Sequence, residues 1–492
     1  MQTLLASRIE LTPRPLQNNI PVLACGMAGH CPGRVRKERL FALPEAISAI
    51  RSAGFDSRLA ELEKADEAIF HLPIPINSSA EFHDIFPDAA TATTNYRSTL
   101  AGSNAWLPGC VDDFFANGGT RLWVVAVPED EDHNAFLPDP GVALHNTGSL
   151  RGIASLLVIP EVGLIVLPDL ERLQIPAKLP GVPAPVHTSE SVHFVPCSTS
   201  LPVSESSFQP SSPQLSEPLE TEVLLKSLLP LLNQHRPDIQ WLWPVSLFYD
   251  QDRQIPAVSD KALNKIRNIA NSPSGHRLRQ LQFVFPYLAR ANGQLSSPSG
   301  VLAGAQSRVA QTQGPWRSIA GQVLVTSGEP FPLQSIPSQT ALRNNPGISV
   351  LTRKPQGVML DDERLAVPAL HPDDYSYFQQ QDRYDSFRSA EIMRFLGHLR
   401  RQLKQLGERL VFRADHRDSA PRLALENFLR QLHRQGALRG GLPEEAFYIE
   451  QTQSQEGVIL IEVILAPSLP IDRIRLTFTN RFGEWQGELK ND

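Results

Sequence analysis

Hydrophobic and polar positions alternate along the chain in the two periods of an α/β protein. Val111, Phe114 and Phe115 have the i, i+3, i+4 spacing of one helix face. Asn117-Gly118-Gly119 then offers left-handed positions that end a helix and reverse the chain. Leu122 to Val127 is an unbroken β-branched and aromatic run, as expected of a strand covered on both faces, and Pro128 closes it. Further strands are predicted at Ile20–Met27, Ile74–Ile76, the run after Gly163, Trp241–Phe248, Leu281–Leu288, Pro346–Leu351 and Val411–Phe412. Helical segments are predicted within 36–67, after Ser78 (with Glu81 placed for a capping box), at 152–157, at Val223–Leu232 and at Lys261–Ala270.

The last third is the most regular. Apolar residues at 392, 395, 396, 399, 403 and 406 form one helical stripe. Arg394, Arg400, Arg401 and Lys404 fall together on the other side of the wheel, as either a solvated face or a partner surface. Asp418-Ser419-Ala420-Pro421 starts the next helix, with Leu425, Phe428, Leu429 and Leu432 on its inner face and Gly436 as its stop. Val458–Leu465 is nearly all aliphatic. Ile471–Asn480 alternates, with Ile474, Leu476 and Phe478 on one face and Arg473, Arg475 and Thr477 on the other. Such a strand is a sheet edge or an element given to another chain.

Composition bounds this picture. At 492 residues two or three domains are expected. Proline, at 42 residues, is concentrated where pattern is lost, and 176–222 is a Pro/Ser-rich insertion without a core-forming period. A net charge of −6 gives no reason to expect nucleic acid or an anionic membrane as partner. The start lacks a signal-peptide core and no segment reaches the ~18 apolar residues of a membrane span. Four scattered cysteines fit reduced thiols in a cytosolic protein. His30 between Cys25 and Cys31 has no second pair at zinc spacing. No zincin, nucleophile-elbow, Cys-x-x-Cys, phosphate-loop or dinucleotide motif is present, so neither a metal nor a cofactor is expected. The acid clusters Asp361-Asp362-Glu363 and Asp373-Asp374 read as solvated loops. A cytosolic α/β hydrolase-type enzyme, its site assembled from distant residues, is the alternative on this scaffold.

Several strings resemble contractile tail sheath proteins, the outer tubes of phage tails, bacteriocins and phage-like injection systems. They are Phe114-Phe115-Ala116-Asn117-Gly118-Gly119 with its strand, the apolar side of the helix at Phe82, Ile85 and Phe86, and the helix–strand–Pro unit at 152–170. Further on come Ser297–Gly304 with Gly314–Gly321, then 346–351. The most specific is Gly436-Ala437-Leu438-Arg439-Gly440 followed by Ala446-Phe447-Tyr448-Ile449. The resemblance implies a multi-domain α/β (α+β, mixed-sheet) sheath fold with extended terminal arms. It divides the chain into an arm at 1–20, a sheath domain at 21–350 bearing the 176–222 insertion, and a C-terminal domain at 351–492. It further implies a non-enzymatic subunit of stacked, hexameric rings around an inner tube, contracting to drive the tube through a target envelope. Its partners would be other sheath subunits, the tube protein, and baseplate or cap proteins, assembled in the bacterial cytoplasm into a phage tail or a released particle. The tube would meet Arg394, Arg400, Arg401 and Lys404, and a neighbour would pair with Arg473–Phe478. Residues 8–19 match the family's first strand only loosely, and 357–387 replace its Trp/Arg-rich string with acidic and aromatic residues. These departures imply a variant or terminal-ring paralogue as readily as the bulk subunit.

Overall fold

The computed structural model describes residues 23–31, 35–64, 70–86, 105–128, 133–138, 141, 143–175, 218–248, 256–290, 295–367, 387–410, 420–453, 459–468, 474–481 and 484–490. The expected arm at 1–20, most of the insertion, and the short strand at 411–412 lie outside them. The fold is α/β. Its centre is a nine-stranded sheet. From one edge the strands run Val323–Leu324, Gly357–Leu360, Ser349–Lys354, Leu281–Phe285, Gln240–Pro244, Val162–Val166, Ala24–Gly29, Leu122–Ala126 and Pro73–Ile76. The six inner strands, from Ser349–Lys354 to Leu122–Ala126, are parallel, and antiparallel partners flank them on both sides. Burial on both faces explains why Leu122–Ala126 and Val162–Val166 lack alternation: every residue in them is buried.

Two expectations shift by a physical cause. Leu281–Leu288 is not one strand. Pro286 has no N–H for the ladder, and Tyr287–Arg290 passes to a separate three-stranded sheet with Leu295–Ser296 and Gly328–Phe331. The insertion, drawn to 222, ends earlier, because helix Thr221–His235 begins inside it and Leu219 N–H already bonds Leu173 O at 2.9 Å. Strand Ser349–Lys354, which the expected 350/351 division crosses, pairs with Leu281–Phe285 and Gly357–Leu360. Beyond it, helices Ala390–Leu410 and Ala420–Arg434 lead into a four-stranded antiparallel sheet.

Candidate functional site

The Phe-Phe-x-Asn-Gly-Gly string holds two helices together. Helix Leu107–Ala116 packs on helix Ser299–Thr312 so closely that a Cβ on Gly300 would lie 2.5 Å from Cys110 O, and one on Gly304 2.2 Å from Phe114 O. Asn117 caps the first helix and donates Nδ2–H to Asp113 O (2.8 Å) and Val325 O (2.7 Å). Gly118 takes φ +86°, and Gly119 lies under the Phe114 ring where a Cβ would collide at 2.3 Å. Phe114 is fully buried and Phe115 is half-buried against the core.

The basic helix corrects the sequence reading. The expected apolar stripe is buried at Ile392, Phe395, Leu396, Leu399 and Leu403. The opposite side is covered as well, because Met393, Arg394, Gly397, His398 and Arg401 are also buried. Arg394 donates to both oxygens of Glu363 at 2.6 and 2.8 Å. Arg401 lies on Gly163 of the central sheet and donates to Asp238 O at 2.8 Å. Arg400 is half-buried and bonds Pro237 O at 2.6 Å. Arg236 donates to Leu157 O, Ile159 O and Val162 O and pairs with Asp238, anchoring the same joint. Burial weakens the proton affinity of Arg401, to about 10, with Asp238 opposing. Of the four basic residues only Lys404 is exposed. A wheel shows which residues share a side, but not whether a second layer covers it. Glu363, read as solvated, is buried.

A group of acids that the sequence did not single out lies at the carboxyl ends of the parallel strands. Chain order reverses at Ala24–Gly29, with Leu122–Ala126 on one side and Val162–Val166 on the other, the crevice where open α/β sheets bind ligands. Here the Asp169 carboxylate accepts N–H bonds from His30 (2.8 Å), Trp106 (2.7 Å) and Leu107 (3.2 Å), filling the helix N-terminus where an anion would sit. Glu171 beside it is fully buried and accepts from Ser297 Oγ; burial pushes its carboxyl up to about 8. Asp113, raised by burial to about 6 against the pull of Arg290, ties helix Leu107–Ala116 to the three-stranded sheet. The only hint in the sequence was charge directly after a buried strand.

Ser79, Asp112 and His83 come together, yet the order is wrong for nucleophile activation. Ser79 Oγ and His83 Nε2 both bond Asp112 Oδ1, at 2.5 and 2.9 Å, so the histidine is not on the serine. The group clips helix Ser79–Ile85 to helix Leu107–Ala116. Among the described residues no cluster of three or more His, Cys, Asp or Glu could hold a metal, and no helix is long and apolar enough to cross a membrane.

The C-terminal sheet runs in chain order, Phe447–Gln453, Ile459–Leu465, Ile474–Arg481 and Glu484–Lys490. Ile449, Ile461 and Val463 are buried, as are Leu425, Leu429 and Leu432 of helix Ala420–Arg434. The Gly-Ala-Leu-x-Gly turn seats the helix on the sheet. Gly436 (φ +78°) and Gly440 (φ +109°) take left-handed backbone, buried Leu438 bridges Pro467, and Arg439 N–H bonds Ala466 O at 2.7 Å. Ala437 is buried, and Ala446 O accepts Ala466 N–H at 2.9 Å just before half-buried Phe447. The strand expected to join a neighbour is interior here. Ile474, Arg475, Leu476, Thr477 and Phe478 pair with Ile459–Leu465 on one side, and strand Ile474–Arg481 pairs with Glu484–Lys490 on the other. Arg473 lies outside the described residues. The last strand was missed because Gly487 and its charged residues hide the alternation. The sheet's edges are therefore Phe447–Gln453 and Glu484–Lys490.

No family's sequence model matches the chain, and no curated protein matches it by sequence. Solved structures do. A chain of the contracted anti-feeding prophage (AFP) baseplate is 14% identical with a TM-score of 0.55, over 96% of this chain and 97% of that one. The contracted AFP helical sheath is 15% identical with a TM-score of 0.52, over 92% and 91%. The contracted sheath complex of PVC, an extracellular contractile injection system, is 16% identical with a TM-score of 0.50, over 83% and 86%. The chain therefore has the fold seen in the sheaths of contractile injection systems.

Proposed function

We propose that the protein is a structural subunit of a contractile sheath, polymerising as stacked rings around an inner tube and contracting to drive the tube through a target envelope. The observation that carries this is the extent of the likeness: at 14–15% identity it spans nine-tenths or more of both chains in the contracted AFP baseplate and sheath. Fold likeness alone leaves function open, but two features of the chain point the same way. The crevice an α/β enzyme would use holds the chain's own Asp169 carboxylate. The four-stranded sheet also ends in strand edges of the kind that join subunits by main-chain hydrogen bonds.

In this reading neighbours link through the C-terminal sheet, either by exchange of the Arg473–Phe478 segment or by extension of its edges. Lys404 is the residue of the basic helix left to meet the tube. Baseplate or cap proteins adjoin the end rings, and assembly takes place in the bacterial cytoplasm. A terminal-ring role is supported by the likeness to chains of the AFP baseplate across 96% of this chain. Sedimentation of the purified protein, with and without residues 471–492, tests the linkage. Rings or polymers that dissolve into folded monomers on truncation support it. Identical sedimentation of both forms contradicts it.

A further inference from the structure

The start of helix Ala390–Leu410 brings buried Glu363 and buried Arg394 together, with half-buried Glu391 on the same helix as Arg394. Arg394 gives Nη1–H to Glu363 Oε1 at 2.6 Å and Nη2–H to Glu363 Oε2 at 2.8 Å, with a further Nη2 bond to Arg317 O at 3.2 Å. Glu363 also accepts from Gln306 Nε2 (2.8 Å), Ser318 Oγ (2.8 Å) and Ile319 N (2.9 Å). Burial works against its charge, but Arg394 and these bonds outweigh that and hold it below the usual carboxylate range. Glu363 is thus the ionised partner.

Glu391 stands three residues before Arg394, on the same side of the helix. Its Oε2 is buried and receives no hydrogen bond. The Arg394 guanidinium is taken up by both oxygens of Glu363, so ionising Glu391 puts charge on a buried oxygen that has no hydrogen-bond partner. The surrounding charges do not remedy this. From the loop after strand Gly357–Leu360, Asp362 adds negative charge, while Arg364 is paired to it at 2.7 Å. Arg388, just before the helix, is half-buried and feels Arg364 and Asp362. The main chain meets at the same place, with Ala390 N–H on Glu363 O (3.1 Å) and Leu365 N–H on Arg388 O (2.8 Å).

We infer that Glu391 is a proton-dependent latch on the joint between helix Ala390–Leu410 and the nine-stranded sheet. Protonated, it sits beside Glu363 without a second charge; ionised, it favours release of the first helical turn from the loop at 361–365. Burial, followed by the Glu363 charge, pushes its carboxyl up to about 7. An acid whose pKa is raised in the closed form stabilises that form fully below its ordinary value of 4.5. The contribution is lost as pH rises towards 7 and is absent above it.

Hydrogen exchange of peptides covering 387–396, corrected for the intrinsic pH dependence of exchange, tests this on the full chain. Protection should fall roughly tenfold or more between pH 5.5 and pH 8, and E391Q should stay protected throughout, since the amide mimics the protonated acid. Equal pH dependence in both proteins overturns the latch. So does failure of E391Q to fold, because the neutral side chain is the one the closed joint accepts.

Discussion

The side chain of Asn117 and the backbone of Val325 exchange two hydrogen bonds, Nδ2–H to Val325 O at 2.7 Å and Val325 N–H to Oδ1 at 2.9 Å. A carboxamide standing in for a strand partner joins the end of helix Leu107–Ala116 to the chain just beyond strand Val323–Leu324, 208 residues away in sequence. Asn117→Asp should cost more than Asn117→Ala costs alone, because a carboxylate meets Val325 O and Asp113 O with no proton to give. Truncation to alanine should cost about 1–3 kcal/mol, the penalty for unmade buried hydrogen bonds. Urea denaturation of the three proteins measures the order, and equal stability of all three would refute the assignment.

Gly304→Ala sets two effects against each other. Alanine gains up to about 1 kcal/mol over glycine inside a helix. The new Cβ would lie 2.2 Å from Phe114 O, a backbone atom that moves only if the helix pair separates, and such overpacking costs about 1–3 kcal/mol. Net destabilisation is expected, while Gly321→Ala, with nothing within 4 Å of its Cβ, should suffer only backbone strain at φ +75°. Thermal melts of both variants decide it.

The joint at Arg394 separates folding from partner contact. Arg394→Met leaves Glu363 buried without its counter-charge and should cost about 3–5 kcal/mol, as broken buried ion pairs do. Lys404→Glu, on an exposed side chain, should leave stability within about 0.5 kcal/mol. If Lys404 meets the tube, its reversal lowers tube binding in a salt-sensitive way without loss of fold. Chemical denaturation beside co-sedimentation with purified tube reads both quantities.

Glu171 gives the chain a pH dependence of definite sign. Its folded pKa is raised from 4.5 to about 8 by burial, so its contribution is complete below 4.5 and is lost as pH rises to about 8. Glu171→Gln should therefore match the parent near pH 5 and be the more stable protein at pH 8. A variant less stable at pH 8 than at pH 5, by the same margin as the parent, would show that Glu171 does not hold the proton.

The sequence disclosed what local pattern controls. Leu122–Ala126 and Val162–Val166 were legible as doubly covered strands, and Gly436 to Gly440 as a turn, because those features depend on a residue and its near neighbours. The roles of Arg394 and Arg401 were not, since Glu363 and Asp238, which neutralise them, lie 31 and 163 residues away. Asp169 was hidden for the same reason: its three donors come from His30, Trp106 and Leu107, and nothing local distinguishes it from a solvated acid after Pro168. The interior position of Ile474–Arg481 depended on a final strand whose Gly487 breaks the alternation.

Electron cryo-microscopy of the protein mixed with a candidate tube protein tests the proposed sheath role most directly. Stacked rings enclosing the tube, with the four-stranded sheets of adjacent copies joined by main-chain hydrogen bonds, are the expected result. Protein that stays monomeric with tube present, under conditions where the tube itself polymerises, would contradict it.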